Sequence, residues 1–371
     1  SLIFMAWINL LLSTQPALDI EDMNSSIIHR WPKASAFATQ LDKQYKLWLW
    51  QIGNHDISYS QDNSIVIVYD ALLKHTSTQT TGDYLLEMWQ KYSTQISTHL
   101  HGARAFIIYD QTQDIIFASR DKLGERHLYY YRDQYTLACS SELRWLTALD
   151  IPRQFNHAAL PDYLSFHYTP GRQTLIQNIY KLQSGHDLIY SLKDQQLTTT
   201  PYTTAPDNAT LYSDLSLAKQ KLGKLLDEAL DRRQQQDLWR VWAYLSGGLD
   251  SSLVSALINH RYKDLHTFNV VREDNIPNES HYAEIISKDL WSTHHTFRVT
   301  GEMVADHLKD LQLHYSDPIA EAGFIPNYFL SEYAHDYVDT IVTGDGADEL
   351  FAGYERYKFL PKFRKLAKIP G

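Results

Sequence analysis

From about residue 214 onward the sequence alternates short apolar runs with helical stretches, and nothing else in the chain constrains the fold as much. Residues 241–245 read as a strand, 252–260 as a helix, 265–271 as a strand and 281–290 as a helix; 328–335 is a further helix and 340–343 a further strand. Strands separated by helices pair in parallel, because each helix carries the chain back across the sheet face. Ligands then collect beyond the carboxyl ends of the strands. A helix over about 214–235 precedes this region, with Leu215, Leu222, Leu225, Leu226, Ala229 and Leu230 along one face.

The first two hundred residues follow a different rule. Residues 64–69 form a β-branched run, and 105–109 and 115–118 flank the polar turn Asp110-Gln111-Thr112-Gln113-Asp114, a hairpin by pattern. A second hairpin joins 127–131 to 135–139 around Arg132-Asp133-Gln134, and 84–92 reads as a helix. The apolar start, residues 1–12, reads as a buried first strand, since it lacks the basic flank and small-residue cleavage site of a leader. Mostly strands with few helices predicts an α+β sandwich. A stretch rich in Thr, Pro and Asp at 198–208 reads as the linker, which predicts domains at 1–205 and 206–371.

A chain of 371 residues is long enough for two cores. Its net charge of −10 argues against nucleic acid, and no apolar stretch is long enough to span a bilayer, so neither partner is expected. Cys139 is the only cysteine, which excludes a disulfide framework within the chain and makes the reducing cytoplasm the expected compartment. The His residues show no ligand spacing, and the adjacent pair His294-His295 reads as a loop or strand edge.

The sharpest local signal is Leu245-Ser246-Gly247-Gly248-Leu249-Asp250-Ser251-Ser252, which ends a strand and opens a helix. Two glycines admit a close ligand, and helix-start N–H groups with flanking hydroxyls favour an anion. Asp250 would repel a phosphate there unless a cation such as Mg²⁺ bridged the two. The second signal, Thr343-Gly344-Asp345-Gly346-Ala347-Asp348-Glu349, also follows a strand. Its carboxylates need a cation or water around them, so Asp348 is expected to share Mg²⁺ with Asp250.

SGGLDSS and TGDGADELFAGYERY resemble the pyrophosphate loop and second signature of the glutamine-dependent asparagine synthetase family. Arg120-Asp121-Lys122-Leu123-Gly124, Ser140-Ser141-Glu142-Leu143, and Ile179-Tyr180-Lys181-Leu182-Gln183-Ser184-Gly185-His186 resemble further stretches of it. The resemblance implies an N-terminal-nucleophile-type amidotransferase sandwich followed by an ATP-pyrophosphatase domain. It also implies that ATP and Mg²⁺ activate a small-molecule or peptide carboxylate as an acyl-adenylate, which an amine or ammonia then attacks. On that resemblance Leu245, Ser246, Gly247, Gly248, Asp250, Ser251, Ser252, Val270, Gly344 and Asp345 bind ATP or pyrophosphate, and Asp250 and Asp348 hold the metal. Asp317-Pro318 stands where the family has Glu-Pro, whose acid handles the attacking amine, and Glu321 follows where an Asp is usual.

The same alignment implies losses. Leu2 stands where the family has its nucleophilic Cys, Ile3 where a Gly stands, and Tyr69-Asp70-Ala71 where an Asn-Gly-Glu turn helps hold glutamine. Arg30 and Asp83 remain as a residual glutamine pocket, and Ser1, one residue out of register, is the alternative nucleophile. After Tyr357 the family has a helical segment with a Lys that steadies the transition state, whereas Lys362, Lys365 and Lys368 read as a solvated helix face. The expected function is therefore an ATP-dependent amide-forming ligase without glutaminase activity, comparable to β-lactam synthetase, carbapenam synthetase or lasso-peptide cyclases. Asparagine synthesis proper and a regulatory nucleotide-binding pseudoenzyme stand as alternatives, and a homodimer is left open.

Overall fold

The computed structural model describes residues 7–13, 34–40, 46–52, 57–73, 79–203, 214–233, 241–262, 264–272, 280–315, 317–321, 323–335, 337–338 and 340–359. Contacts gather the chain into two compact units. The first comprises Leu2–Gln236 with Gln312–Glu321, and the second Asp237–Leu311 with Ala322–Gly371.

The first unit is built on two six-stranded sheets. One contains β1 (Trp7–Ser13), β2 (Ala34–Gln40), β3 (Lys46–Ile52), β8 (Tyr129–Arg132), β9 (Thr136–Ser140) and β10 (Ile179–Lys181), in the order β10-β8-β9-β1-β3-β2. The other contains β4 (Ser58–Tyr59), β5 (Ile65–Leu73), β6 (Gly102–Asp110), β7 (Ile115–Arg120), β11 (His186–Ser191) and β12 (Gln196–Pro201), in the order β12-β11-β7-β6-β5-β4. Pairing is antiparallel throughout the described registers.

Side chains alternate across each strand, so one strand can serve two cores. On β5, Val66 and Val68 join the cluster between the sheets with Ile8, Leu10, Leu49, Ile107 and Leu188. Ile65, Ile67 and Tyr69 face the other way, onto Leu85, Leu86 and Trp89 of helix α1 (Thr81–Tyr92). Leu11 of β1 likewise turns from the central cluster to Trp145 and Leu146 of the short helix Leu143–Ala148. This is a helix–sheet–sheet–helix sandwich, the N-terminal-nucleophile-type architecture. Its continuous apolar strands follow from burial on both faces.

The predicted hairpin between β6 and β7 is present, and its turn is made by Asp110. One carboxylate oxygen accepts from the N–H groups of Thr112 (2.8 Å) and Gln113 (3.1 Å), while the other accepts from Trp89 Nε1 at 2.7 Å. Residues 198–201 are not linker: β12 runs through Pro201, paired with β11. Their β-branched threonines suit a strand edge once a partner strand lies beside them. The first unit also includes the helix α2 (Leu215–Arg233). Of its predicted apolar face, Leu215 and Leu225 are exposed, at 68% and 57%, so periodicity located this helix without fixing its burial.

The second unit is a parallel sheet of β13 (Val241–Tyr244), β14 (His266–Arg272), β15 (Thr293–Val299) and β16 (Thr340–Val342), ordered β15-β14-β13-β16. Between strands run α3 (Leu249–Arg261), α4 (Ser280–Asp289) and α5 (Phe324–His335). Trp242 and Phe268 from the sheet pack against Leu330 and Ala334 of α5. The strand β15, at the sheet edge, was not read from the sequence. It carries His294 and His295 facing opposite ways: His294 Nδ1 lies 2.8 Å from Thr267 Oγ1, and His295 Nε2 lies 3.0 Å from His266 Nδ1. Among the described residues no helix is long and apolar enough to cross a membrane.

Candidate active site

At the carboxyl end of β13, Leu245 prolongs the strand by donating its N–H to Phe268 O at 2.8 Å, and its side chain is fully buried. The chain then turns at Gly247, whose φ of +92° strongly favours glycine, and α3 opens at Gly248. The serines shape the loop. Ser246 N–H donates to Ser251 Oγ (3.2 Å), Gly248 N–H to Ser246 Oγ (3.2 Å) and Ser252 Oγ to Gly248 O (2.5 Å). No side chain caps α3, so its first N–H groups remain for a ligand.

The second loop leaves β16 beside the first. A Cβ on Gly344 would stand 2.8 Å from Ser251 N and 3.0 Å from Asp250 C, so only glycine allows the two backbones this approach. Gly346 (φ +92°) then starts a short helix, α6 (Ala347–Phe351). Gly353 returns its N–H to Asp348 O at 3.0 Å, and a Cβ there would fall 1.9 Å from Asp348 Oδ1. Tyr354 donates its hydroxyl to Glu349 Oε1 at 2.7 Å, and that bond pushes the phenol up to about 12.

A cavity of about 700 Å³ opens between these loops and β14. That is within the usual range, roughly 300–1,000 Å³, for a small-molecule site. Of the residues expected to bind ATP, pyrophosphate or metal, Leu245, Ser246, Gly248, Asp250, Ser251, Val270, Gly344, Asp345 and Asp348 line it. Gly247 and Ser252 do not: the first supplies only the turn, and the hydroxyl of the second is folded back onto Gly248 O. Sequence reasoning missed Tyr244, Arg272, Ser280, Asn327, Glu349 and Tyr354 as lining residues. Glu349 and Tyr354 could have been found, since they lie inside the second signature. Asn327 sits on α5, far from either motif, and carries no local signal.

Asp250, Asp345, Asp348 and Glu349 bring negative charge to this cavity, and Arg272 is the only cation among its described lining residues. No group of three or more potential metal ligands comes together among the described residues. A cation here would therefore rely on one or two carboxylates, with phosphate oxygens and water completing its shell, which is how Mg²⁺ is usually held.

Asp317 and Glu321 belong to the first unit and do not line the cavity. Asp317 Oδ2 accepts from Lys181 Nζ at 3.2 Å and from the Tyr129 hydroxyl at 3.4 Å, with the Lys181 and Asp317 side chains only 10% and 18% exposed. Burial pushes the Asp317 carboxyl up and draws the Lys181 ammonium down, and the opposite charge of each partner works against both shifts. Among the described residues, the buried Asp317 Oδ1 has no hydrogen-bond partner.

Of the residual glutamine pocket, Arg30 lies outside the described residues, as do Ser1 and Leu2. Asp83 lies in the first turn of α1, beside its N-cap Thr80: the Asp83 N–H donates to Thr80 Oγ1 at 3.1 Å, and the Thr80 hydroxyl donates to Asp83 Oδ2 at 2.7 Å. Tyr69, Asp70 and Ala71, 4%, 4% and 3% exposed, are ordinary members of β5 paired with Phe106, Ala105 and Arg104. Asp70 Oδ1 forms an ion pair with Arg126 Nε at 3.2 Å.

Residues 221–370 match the family model described as asparagine synthase, and residues 67–203 the one described as a glutamine amidotransferase domain. A Methanocaldococcus jannaschii protein, named as a candidate glutamine-hydrolyzing asparagine synthetase 2, is 27% identical over 95% of this chain and 77% of its own. The glutamine-hydrolyzing asparagine synthetase 1 of Bacillus subtilis is 24% identical over 95% of this chain and 58% of its own. The amidase chyE of Penicillium rubens is 25% identical over 74% of this chain and 43% of its own. The chain thus spans about half the length of several curated relatives it matches. The chain carries, in this order, a match to the glutamine amidotransferase domain and a match to asparagine synthase, and along nearly its whole length it is similar to glutamine-hydrolyzing asparagine synthetases.

Proposed function

We propose that the protein activates a carboxylate with ATP, as an acyl-adenylate, and joins it to an amine or ammonia without hydrolysing glutamine. The observation that carries this reading is the contact between Gly344 and the Asp250–Ser251 backbone, which makes one anion-binding cavity of two loops. In the first half-reaction a carboxylate oxygen attacks the α-phosphorus of ATP, and the bond to pyrophosphate breaks. The N–H groups at the start of α3 and the hydroxyls of Ser246 and Ser251 are suited to the charge gathering on that leaving group. Mg²⁺ held at Asp250 and Asp348 would neutralise phosphate charge. Val270 and its neighbours on β14 are the surface for the adenosine.

In the second half-reaction the amine nitrogen attacks the acyl carbon, a C–N bond forms, the bond to AMP breaks, and one amine proton passes to a base. Asp317 is the base in this reading, with Glu321 the second candidate. In this reading glutamine is not the source of ammonia, and the burial of Tyr69 to Ala71 within β5 supports it. Asp70, on β5, pairs with Arg126, and the Asp83 carboxylate accepts from the hydroxyl of the α1 N-cap Thr80. The names of the relatives favour aspartate and small amide-forming carboxylates as first trials. The test is carboxylate-dependent ATP–pyrophosphate exchange across such a panel, together with glutamate release from glutamine. Exchange with one carboxylate and no glutamate release is expected. Glutamate release that tracks ATP use would reverse the second half of the reading.

A further inference from the structure

In the second unit, β14 outruns the strand beside it. β13 pairs with β14 at Ala243–Thr267 and Tyr244–Phe268, while β14 continues to Arg272. The stretch beyond Phe268 stays paired with β15 and borders the cavity, which Asn269, Val270 and Arg272 all line. Side chains alternate along a strand, and Phe268 and Val270 go to the α5 face with Trp242 and Leu330. Thr267 and Asn269 therefore turn to the opposite face.

These two buried polar side chains are treated differently. Thr267 Oγ1 lies 2.8 Å from His294 Nδ1 and 3.1 Å from Ser292 Oγ. Asn269 is only 5% exposed, and among the described residues its Nδ2 is buried with no hydrogen-bond partner. Buried polar groups are nearly always bonded, so an orphan in the wall of a cavity points to a ligand. The χ2 torsion of asparagine is broad and roughly two-fold, so the amide can turn Nδ2 toward that ligand while the backbone stays in place.

A carboxamide holds a donor and an acceptor side by side. Phosphate and carboxylate oxygens accept only, and the start of α3 with Ser246 and Ser251 already offers them donors. Within ATP, the adenine edge is planar and sets an amino donor beside a ring-nitrogen acceptor, the pattern that asparagine bonds with both ends of its amide. Guanine and hypoxanthine carry an oxygen in place of that amino group, which leaves the amide oxygen facing another acceptor. We infer that Asn269 selects the base of the nucleotide, its Oδ1 accepting from the adenine 6-amino group and its Nδ2 donating to N7. The inference rests on the proposed use of ATP in this cavity.

The experiment is calorimetric binding with Mg²⁺ and no carboxylate, so that nothing turns over. It compares ATP, ITP, 7-deaza-ATP and 2′-deoxy-ATP on full-chain wild type, Asn269→Leu and Asn269→Ala. A two-ended amide contact discriminates by roughly tenfold or more, so wild type should bind ATP that much more tightly than ITP. It should also bind 7-deaza-ATP, which has no N7 acceptor, about fivefold or more weakly than ATP. Both variants should bring the ATP-to-ITP ratio close to one and leave the ATP-to-2′-deoxy-ATP ratio unchanged. Wild type that binds ITP or 7-deaza-ATP as it binds ATP overturns the inference without recourse to any variant, as does a folded variant that keeps the distinction. Equal weakening of all four nucleotides would assign Asn269 to the phosphates, and a changed 2′-deoxy ratio would assign it to the ribose; either overturns the inference. Pyrophosphate exchange is followed in parallel. Base selection through Asn269 with no exchange for any carboxylate overturns the activation reading and leaves the inference standing, whereas exchange without base selection does the reverse.

Discussion

Replacing Gly344 with Ala tests the claim that two loops make one site. The added Cβ would stand 2.8 Å from Ser251 N, 3.0 Å from Asp250 C and 3.1 Å from Asp250 Cβ. Ordinary contact begins near 3.4 Å, so the loops must part by about 0.6 Å, and the obstacle is backbone that has no rotamer to escape into. Overpacking of this kind costs about 1–3 kcal/mol. Gly344 is not in the left-handed region, so the cost is steric and falls on the distance between the loops. Where about 1 Å of misplacement can cost 100-fold in rate, a 0.6 Å opening should lower exchange roughly tenfold or more. The assay is carboxylate-dependent ATP–pyrophosphate exchange, read beside chemical denaturation to separate a displaced loop from an unfolded one. Gly223→Ala is the comparison: it lies in α2 with nothing within 4 Å of the new Cβ. It should stabilise by about 0.5–1 kcal/mol and leave exchange intact. Exchange by Gly344→Ala within twofold of wild type would show that the close approach of the loops does not matter to the chemistry.

Two further outcomes follow from buried charges in the first unit. Arg126→Met removes the ion pair to Asp70, whose side chain is only 6% exposed, and should cost about 3–5 kcal/mol in denaturant unfolding, while adding Asp70→Asn should recover part of it; equal losses in the single and double variants would rule out a charge-specific pair. Asp187, its carboxyl raised from 3.8 to about 6 by burial despite hydrogen bonds from Ser97 and Ser119, binds its proton more tightly folded than unfolded. Its contribution to stability is full below pH 3.8 and is lost as pH rises through about 6, so Asp187→Asn should flatten stability against pH over that window; an unchanged slope in thermal melts at pH 4 to 7 would refute the assignment.

Much of the second unit was legible in the sequence. Glycine positions, β-branched runs and helix starts are local properties, and the strands and helices flanking SGGLDSS and TGDGADE appear within a few residues of their expected places. The strand β15 was missed because Thr-His-His-Thr-Phe-Arg lacks both an apolar run and a clean alternation; parallel pairing with β14 makes it a strand. The signature residues marked the cavity for the same local reason. Even so, proximity to a motif could not separate Gly248, which lines it, from Ser252, whose hydroxyl is turned onto Gly248 O.

In the first unit the sequence indicated strands and one helix, and its departures from the family's glutamine-site pattern could be read residue by residue. It could not show that Asp70 sits inside a sheet against Arg126, because Asp70 and Arg126 approach only after β5 and the loop before β8 are placed. The sequence by itself indicated the strand-rich first part, the alternating second part and the two loops that line the cavity, since each is written in a few consecutive positions. Only the tertiary structure decided that Gly344 touches Asp250, that Tyr69 to Ala71 is buried within β5, and that Asp317 is held by Lys181 and Tyr129. Those are contacts between distant segments, and their partners are chosen by how the sheets pack, which no local spacing encodes.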